Sequence, residues 1–335
     1  MGLKELKEEF DNDVKTILSN NFEVKFEDTP LVPNIESKGI TYPNLDTKEI
    51  QTKKIKTCVL YIDIRKSTEL SLSSKPKTLT KLYASFMRIM VKSARYFNGH
   101  VRNIIGDRIM VVFDEADCFK NAVHTAFLLN SVAKYILNKH FKSNEITCGI
   151  GIDYGSMLVS KGGIVKNGNE NSTYKSLVWM GTTANVASKL TDLAHKTVEL
   201  KTMIKQEYLL VYHQLNENDE DDYTTTEMTF EEFLSTEVSI RKDMELQESF
   251  FGESSFYTSF VPYYKVYFAR SKNITGIKKV STPPILITES VYEGFKKTHP
   301  TGNSITKNGW TEQDKKLYPG YKVYGIDWIY TEIRE

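Results

Sequence analysis

The sequence predicts an α+β fold, on three observations. Residues 57–64 and 104–113 are apolar, β-branched runs of strand length. Between them, Leu79, Leu82, Phe86, Ile89, Met90 and Ser93 recur at helical spacing over residues 77–97, and Asn98-Gly99 ends that helix. Gly106-Asp107 breaks the second run, and such a pair between β-branched stretches signals a hairpin, with strands near 100–105 and 108–113.

The other elements follow in order. Residues 3–18 set Leu3, Leu6, Phe10, Val14, Ile17 and Leu18 on one face of an amphipathic helix that must cover something: packing on its own domain is expected first, with a docking arm, a dimer contact or a partner site as the alternatives. Residues 19–54, with Pro30, Pro33 and Pro43, read as an extended connector. A second core helix covers 115–140. Strand 145–153 leads to a turn at Tyr154-Gly155 and a strand over 156–161. Residues 162–175 are a polar Gly/Asn loop, followed by strand 176–180 and helix 182–195. Residues 197–281 break the pattern with helical patches, Tyr/Phe-rich pieces and an acidic run at 216–222, read as a solvated loop. Pro283-Pro284 introduces a strand-to-helix segment capped by Thr288, and the alternating residues 321–330 close the chain as a strand. The expected organisation is an N-terminal helix and connector over 1–54, one domain from 55–196 and 283–335, and a large insertion over 197–282, before the last helix and strand.

Composition bounds the function. The 44 basic and 43 acidic side chains cancel, so no overall field draws the chain to nucleic acid or an anionic membrane. Cys58, Cys118 and Cys148 lie in apolar surroundings without metal-like spacing, as in the core of a cytosolic protein. No apolar run has membrane-spanning length, the N-terminus lacks a signal-peptide shape, and Leu at position 6 excludes a myristoylation motif at Gly2. A cytoplasmic location is expected.

The chemistry centres on Asp63, at the end of the first run, and Asp107, in the hairpin. Taken alone, Asp63 reads equally well as the cap of the following helix, and Asp107 as a turn residue. If the two runs are antiparallel neighbours, both carboxylates meet at one sheet edge. They repel there, and a hard divalent cation relieves the repulsion. A Mg²⁺ or Mn²⁺ held by carboxylates from two strands suits phosphoryl transfer.

Five stretches in order, YIDIRKST, GHVRNIIGDRIMVVF, CGIGIDYGSM, GTTANVASKL and ILITESVYE, resemble the catalytic domain of the class III nucleotidyl cyclases. The resemblance covers about 55–196 and resumes at 283–335. It implies a ferredoxin-like sheet with helices on one face, and a head-to-tail homodimer with active sites at the interface. The implied reaction is attack of a ribose 3′-OH on the α-phosphate of a nucleoside triphosphate, giving a 3′,5′-cyclic monophosphate and pyrophosphate. Two divalent cations, Mn²⁺ or Mg²⁺, are implied on Asp63, Asp107 and the Ile64 carbonyl. The segment through Arg65, Ser67 and Thr68 then meets the triphosphate. Asn185 and Lys189, four apart on one helix, match positions that orient the ribose and neutralise α-phosphate charge from the opposite subunit. The family usually has Arg at the Lys189 position, and Lys lacks its planar fork.

The departures concern the base. Adenylate cyclases have Lys at the Asn103 position and Asp at the Val178 position; guanylate cyclases have Glu and a small polar residue. Neither purine pattern is met, and a missing buried partner costs on the order of 1–3 kcal/mol. The divergent base positions and the form YIDIRKST resemble the pyrimidine cyclases of bacterial anti-phage Pycsar systems, whose cyclic UMP or cyclic CMP activates a separate effector. The Asn103 amide serves either pyrimidine edge. UTP is favoured, since uracil O4 can accept from Asn103 or from a nearby cation such as Arg102; CTP is the alternative. A purine cyclase with an unusual pocket and an inactive cyclase-like nucleotide sensor are the other readings.

Overall fold

A computed structural model describes residues 2–141, 145–163, 165–166, 169–170, 176–216, 219–229, 232, 247–251, 254–258 and 264–334. In chain order these form α1 (Leu3–Ile17), β1 (Glu23–Asp28), β2 (Glu49–Ile64), α2 (Ser67–Ser73), α3 (Pro76–Tyr96), β3 (Gly99–Ile105), β4 (Arg108–Phe113) and α4 (Cys118–Ser131). A π-helical turn (Val132–Leu137) continues α4 into α5 (Asn138–His140). Then come β5 (Cys148–Gly162), β6 (Val165–Lys166), β7 (Asn169–Glu170), β8 (Ser176–Met180), α6 (Thr182–Leu193), β9 (Thr197–Asn216), β10 (Asp219–Met228), β11 (Gln247–Phe251), β12 (Ser254–Thr258) and β13 (Tyr264–Ser281). The chain closes with β14 (Ile285–Thr288), α7 (Glu289–Thr298), α8 (Asn303–Thr306), β15 (Thr311–Glu312), β16 (Val323–Ile326) and α9 (Thr331–Arg334).

Two compact units result: residues 1–198 with 280–335, and residues 199–279. In the first, the strand order is β15-β16-β14-β5-β2-β4-β3, with β1 added to β2 and β8 to β5. Period-two alternation in β2 sends Cys58, Leu60, Ile62 and Ile64 to one face and Ile55 and Val59 to the other. Phe86, Met90, Phe127 and Phe295 from α3, α4 and α7 cover the first face and are fully buried, each contributing roughly 1.5–3 kcal/mol. Ala184 and Ala187 of α6 pack on the second. Helices therefore lie on both faces, not on one as the resemblance implied; both faces of β2 and β5 are apolar and both need cover.

Four sequence expectations change. The Tyr154-Gly155 turn is absent: β5 runs through it, because β2 pairs with it continuously from Lys53↔Val159 to Ile64↔Cys148. The connector holds a strand, β1, parallel to β2. No residue of α1 is buried, and Leu3 is 86% exposed, so this helix does not pack on its domain. The final strand stops at Ile326, because Asn130 Nδ2 donates to both Asp327 Oδ1 and the Trp328 carbonyl at 2.9 Å and draws the chain out of the sheet.

Among its described residues the second unit holds a sheet in the order β10-β9-β13-β12-β11. Residues 219–222 of the acidic run belong to β10, with a register irregularity between Asp219 and Tyr223; residues 217–218 lie outside the described residues. In the 162–175 loop, β6 and β7 form a small hairpin, and residues 164, 167–168 and 171–175 lie outside the described residues. The three cysteines are buried and free.

Candidate active site

The β2–β4 register fixes the carboxylate pair. It ends at Ile62↔Ile109; continued outward, it sets Asp63 opposite Arg108 and Ile64 opposite Asp107. Gly106, at φ +60°, makes the tight turn that returns the chain at this point. The Ile64 N–H donates to Asp107 Oδ2 at 3.2 Å. Burial and then the Asp63 charge push the Asp107 carboxyl above its ordinary range, while the Ile64 N–H pulls it down. Two close carboxylates beside a strand-end carbonyl are a hard oxygen donor set, and they fit Mg²⁺ or Mn²⁺. Among the described residues no group of three or more His, Cys, Asp or Glu could hold a metal ion, so these two aspartates would need the Ile64 carbonyl and substrate or water oxygens as further ligands.

Two guanidinium groups attend Asp63. Arg108 Nη2 donates to Asp63 Oδ2 at 2.9 Å and also to Asp192 Oδ1, and its Nη1 donates to Ser188 Oγ at 2.9 Å. Burial works against the Arg108 charge, but its bonds to Asp63 and Asp192 outweigh this and raise its pKa. Arg65 was expected to meet a triphosphate. It points inward instead: its side chain is 6% exposed, and Nη2 lies 3.9 Å from Asp63 and donates to the Thr191 carbonyl at 2.7 Å. It lies against Gly149, where a Cβ would collide with the guanidinium. Burial lowers its pKa, against the opposing charge of Asp63. Ser67 and Thr68 open α2 just after Lys66, which turns the chain with φ +56°. The Tyr83 hydroxyl of α3 feels the same field; burial first, then Asp107, raises its pKa.

Asn185 and Lys189 are exposed on α6 and line a groove of about 370 Å³ with Thr182, Val186, Tyr318, Pro319 and Tyr321. Lys189 Nζ sits 6.0 Å from the Tyr318 ring centroid. Among the described residues no hydrogen bond or ion pair joins Asn185 or Lys189 to Asp63 or Asp107. A larger groove, near 650 Å³, lies among Phe26, Lys54, Leu158 and Met180, shares Thr182 with the first, and holds none of the candidate metal, substrate or catalytic residues.

The two base positions are not strand neighbours. Asn103 is exposed on β3 opposite Met110, whereas Val178, 40% exposed, pairs with Ser160 through β8 and β5. Arg102 is not free for a base: its Nε donates to the Pro33 carbonyl at 2.8 Å, and Nη1 to the Val101 carbonyl at 3.2 Å. Sequence reasoning missed Arg108, Asp192, Tyr83 and Tyr318. Only Arg108 carried a local signal, its place directly after the hairpin aspartate.

Comparison with known proteins gives a family for the chain. The adenylate and guanylate cyclase catalytic domain matches residues 50–228. A uridylate cyclase from Gulbenkiania mobilis is 30% identical over 201 residues, covering 56% of this chain and 72% of that protein. A cytidylate cyclase from Staphylococcus aureus is 31% identical over 142 residues, 39% of this chain and 34% of that one. The crystal structure of the adenylyl cyclase CyaB from P. aeruginosa aligns with 83% of this chain and 96% of its own, at 16% identity and a TM-score of 0.44. No helix among the described residues is long and apolar enough to cross a membrane.

Proposed function

The chain belongs to the adenylate and guanylate cyclase catalytic-domain family, the class III nucleotidyl cyclases, and on that premise we propose that it converts UTP to 3′,5′-cyclic UMP and pyrophosphate. The observation that carries the reading is the Asp63–Asp107 pair at the β2–β4 edge, where the Ile64 N–H donates to Asp107. Asp63, Asp107 and the Ile64 carbonyl would hold two divalent cations, Mn²⁺ or Mg²⁺. When bound, the cations acidify the ribose 3′-OH and neutralise the triphosphate. Asn185 orients the ribose, and Lys189 offers its charge to the α-phosphate. Their exposed groove and their lack of bonds to the aspartates favour a homodimer in which one copy's α6 completes the other's carboxylate site. Ser67 and Thr68 bring the start of α2 to the phosphates; Arg65 braces Asp63 from behind and takes no substrate.

Support for a pyrimidine comes from the uridylate cyclase relative and from Asn103, an exposed amide where purine cyclases carry a charged group. Val178 offers the base an apolar wall. CTP is the second reading, supported by the cytidylate cyclase relative and by the two-sided amide of Asn103. The product would act in the cytoplasm as a second messenger for a cyclic-nucleotide-responsive effector in anti-phage defence.

The test is incubation of the purified protein with ATP, GTP, CTP or UTP and Mn²⁺, with cyclic products read by mass. Cyclic UMP is expected. Cyclic CMP would move the substrate within the pyrimidines, cyclic AMP or GMP would overturn the base assignment, and no product would favour the sensor reading.

A further inference from the structure

The cluster around Asp63 has an uneven charge count. Asp63, Asp107 and Asp192 supply three carboxylates, while Arg65 and Arg108 supply two guanidinium groups. This is close to balance without any added ion. A divalent cation on Asp63 needs an oxygen that a guanidinium now holds, so that guanidinium must release it. Arg65 cannot, because its buried guanidinium is held by the Thr191 carbonyl and packed on Gly149. Arg108 can. One nitrogen, Nη2, serves Asp63 and Asp192 at once, and Nη1 is anchored on Ser188. Ser188 and Asp192 lie one turn apart on α6, so that helix retains the guanidinium if its bond to Asp63 breaks. The two ends also differ in exposure: the Asp63 side chain is 18% exposed and that of Asp192 is 50%. The β2–β4 register sets Arg108 opposite Asp63, so the contact is built into the sheet.

We infer that Arg108 is a built-in counter-ion that occupies Asp63 before a divalent cation arrives and passes to Asp192 when it binds. The inference rests on the reading of Asp63 as a metal ligand. Arg108 is thus a positioning residue: it holds the Asp63 carboxylate in place, and it competes with the cation for Oδ2. Asp192 sets the strength of that competition, because it draws the guanidinium away.

The test is Mn²⁺ titration of the full chain without nucleotide, with free Mn²⁺ read by electron paramagnetic resonance. Arg108→Gln removes the competitor and should tighten Mn²⁺ roughly three- to tenfold, the scale of one partly exposed ion pair. Asp192→Asn leaves Arg108 on Asp63 alone and should weaken Mn²⁺ by a similar factor. In the double variant, Asp192→Asn should have no further effect, because its route through Arg108 is gone. General damage to the site would move both single variants in one direction, and a plain field effect of Asp192 would persist undiminished in the double variant. Either result overturns the inference, as does an Arg108→Gln protein that binds Mn²⁺ no tighter than the native chain. Asp63→Asn separates the two levels. If it abolishes Mn²⁺ binding, the metal reading stands whatever Arg108 does; if it binds as the native chain does, the metal reading fails and this inference with it.

Discussion

The carboxylate edge and the α6 groove are built in opposite ways. At the edge, Asp63 and Asp107 are partly buried and satisfied by the Ile64 N–H, Arg65 and Arg108. In the groove, Asn185 and Lys189 are exposed, with a tyrosine ring as the neighbour of Lys189. One half is organised by its own chain before any ligand comes; the other presents its groups outward. A pre-set donor pair suits an ion that demands fixed geometry, and an open pair of polar groups suits a partner that brings the missing half.

The contrast can be broken at its strong end first. Asp63→Asn or Asp107→Asn should lower cyclisation on the order of 10³-fold or more, since each removes a cation ligand worth several kcal/mol of transition-state stabilisation. Initial rates with Mn²⁺, beside an unchanged far-ultraviolet circular dichroism spectrum, would show it; near-native turnover in either variant removes the metal assignment. Next, Lys189→Ala should cost on the order of 10²-fold. Mixed with Asp63→Asn, it should regain a measurable share of activity, because a mixed dimer contains one site with both halves intact. No recovery on mixing would mean that the two halves work within one copy.

Smaller effects sharpen the comparison. Tyr318→Leu removes the ring beside Lys189 and should slow turnover about two- to fivefold, the scale of an exposed cation–π contact. A Lys189→Ala background should erase that difference; if it persists, Tyr318 acts through something other than Lys189. The least effect on chemistry is expected from His124, which packs against Phe97 and Tyr330 behind the sheet, away from both halves. Burial, then the charges of His299 and Lys120, lower its pKa to about 4. The unfolded chain therefore binds the proton more readily. The stability from keeping His124 neutral is complete above the ordinary histidine range and fades as pH falls towards 4. Thermal unfolding of His124→Phe across pH 4–7 should show a flatter acid limb than the native chain; an identical slope assigns the acid loss elsewhere.

Legibility in the sequence followed the range of the determining contacts. Asp63 and Asp107 could be paired from the sequence because each lies at the end of an apolar run, so that antiparallel pairing of those two runs brings both to one edge. Arg65 could not be read, since its inward turn depends on the Thr191 carbonyl, 126 residues away. Arg102 was misjudged for the same reason, its acceptor being Pro33 in the supposed connector. The Tyr154-Gly155 pair has turn chemistry, yet the long partner strand β2 holds it extended. Residues 327–330 alternate like a strand, but Asn130 holds Asp327 Oδ1 and the Trp328 carbonyl, and Ser131 Oγ accepts from the Tyr330 N–H. In each case a distant partner overrode a sound local preference.

The way the chain leaves the catalytic unit and returns to it has a consequence for descent. The Thr282 N–H donates to the Lys196 carbonyl at 2.8 Å, the Lys196 N–H donates back to Thr282 Oγ1 at 3.1 Å, and the Thr197 and Ser281 hydroxyls lie 3.2 Å apart. Departure and return are therefore adjacent rungs of one ladder. On the reading of residues 197–282 as an insertion, a gene could gain, lose or exchange everything between such rungs in a single event. On that reading, relatives are expected to differ most in length between these two points.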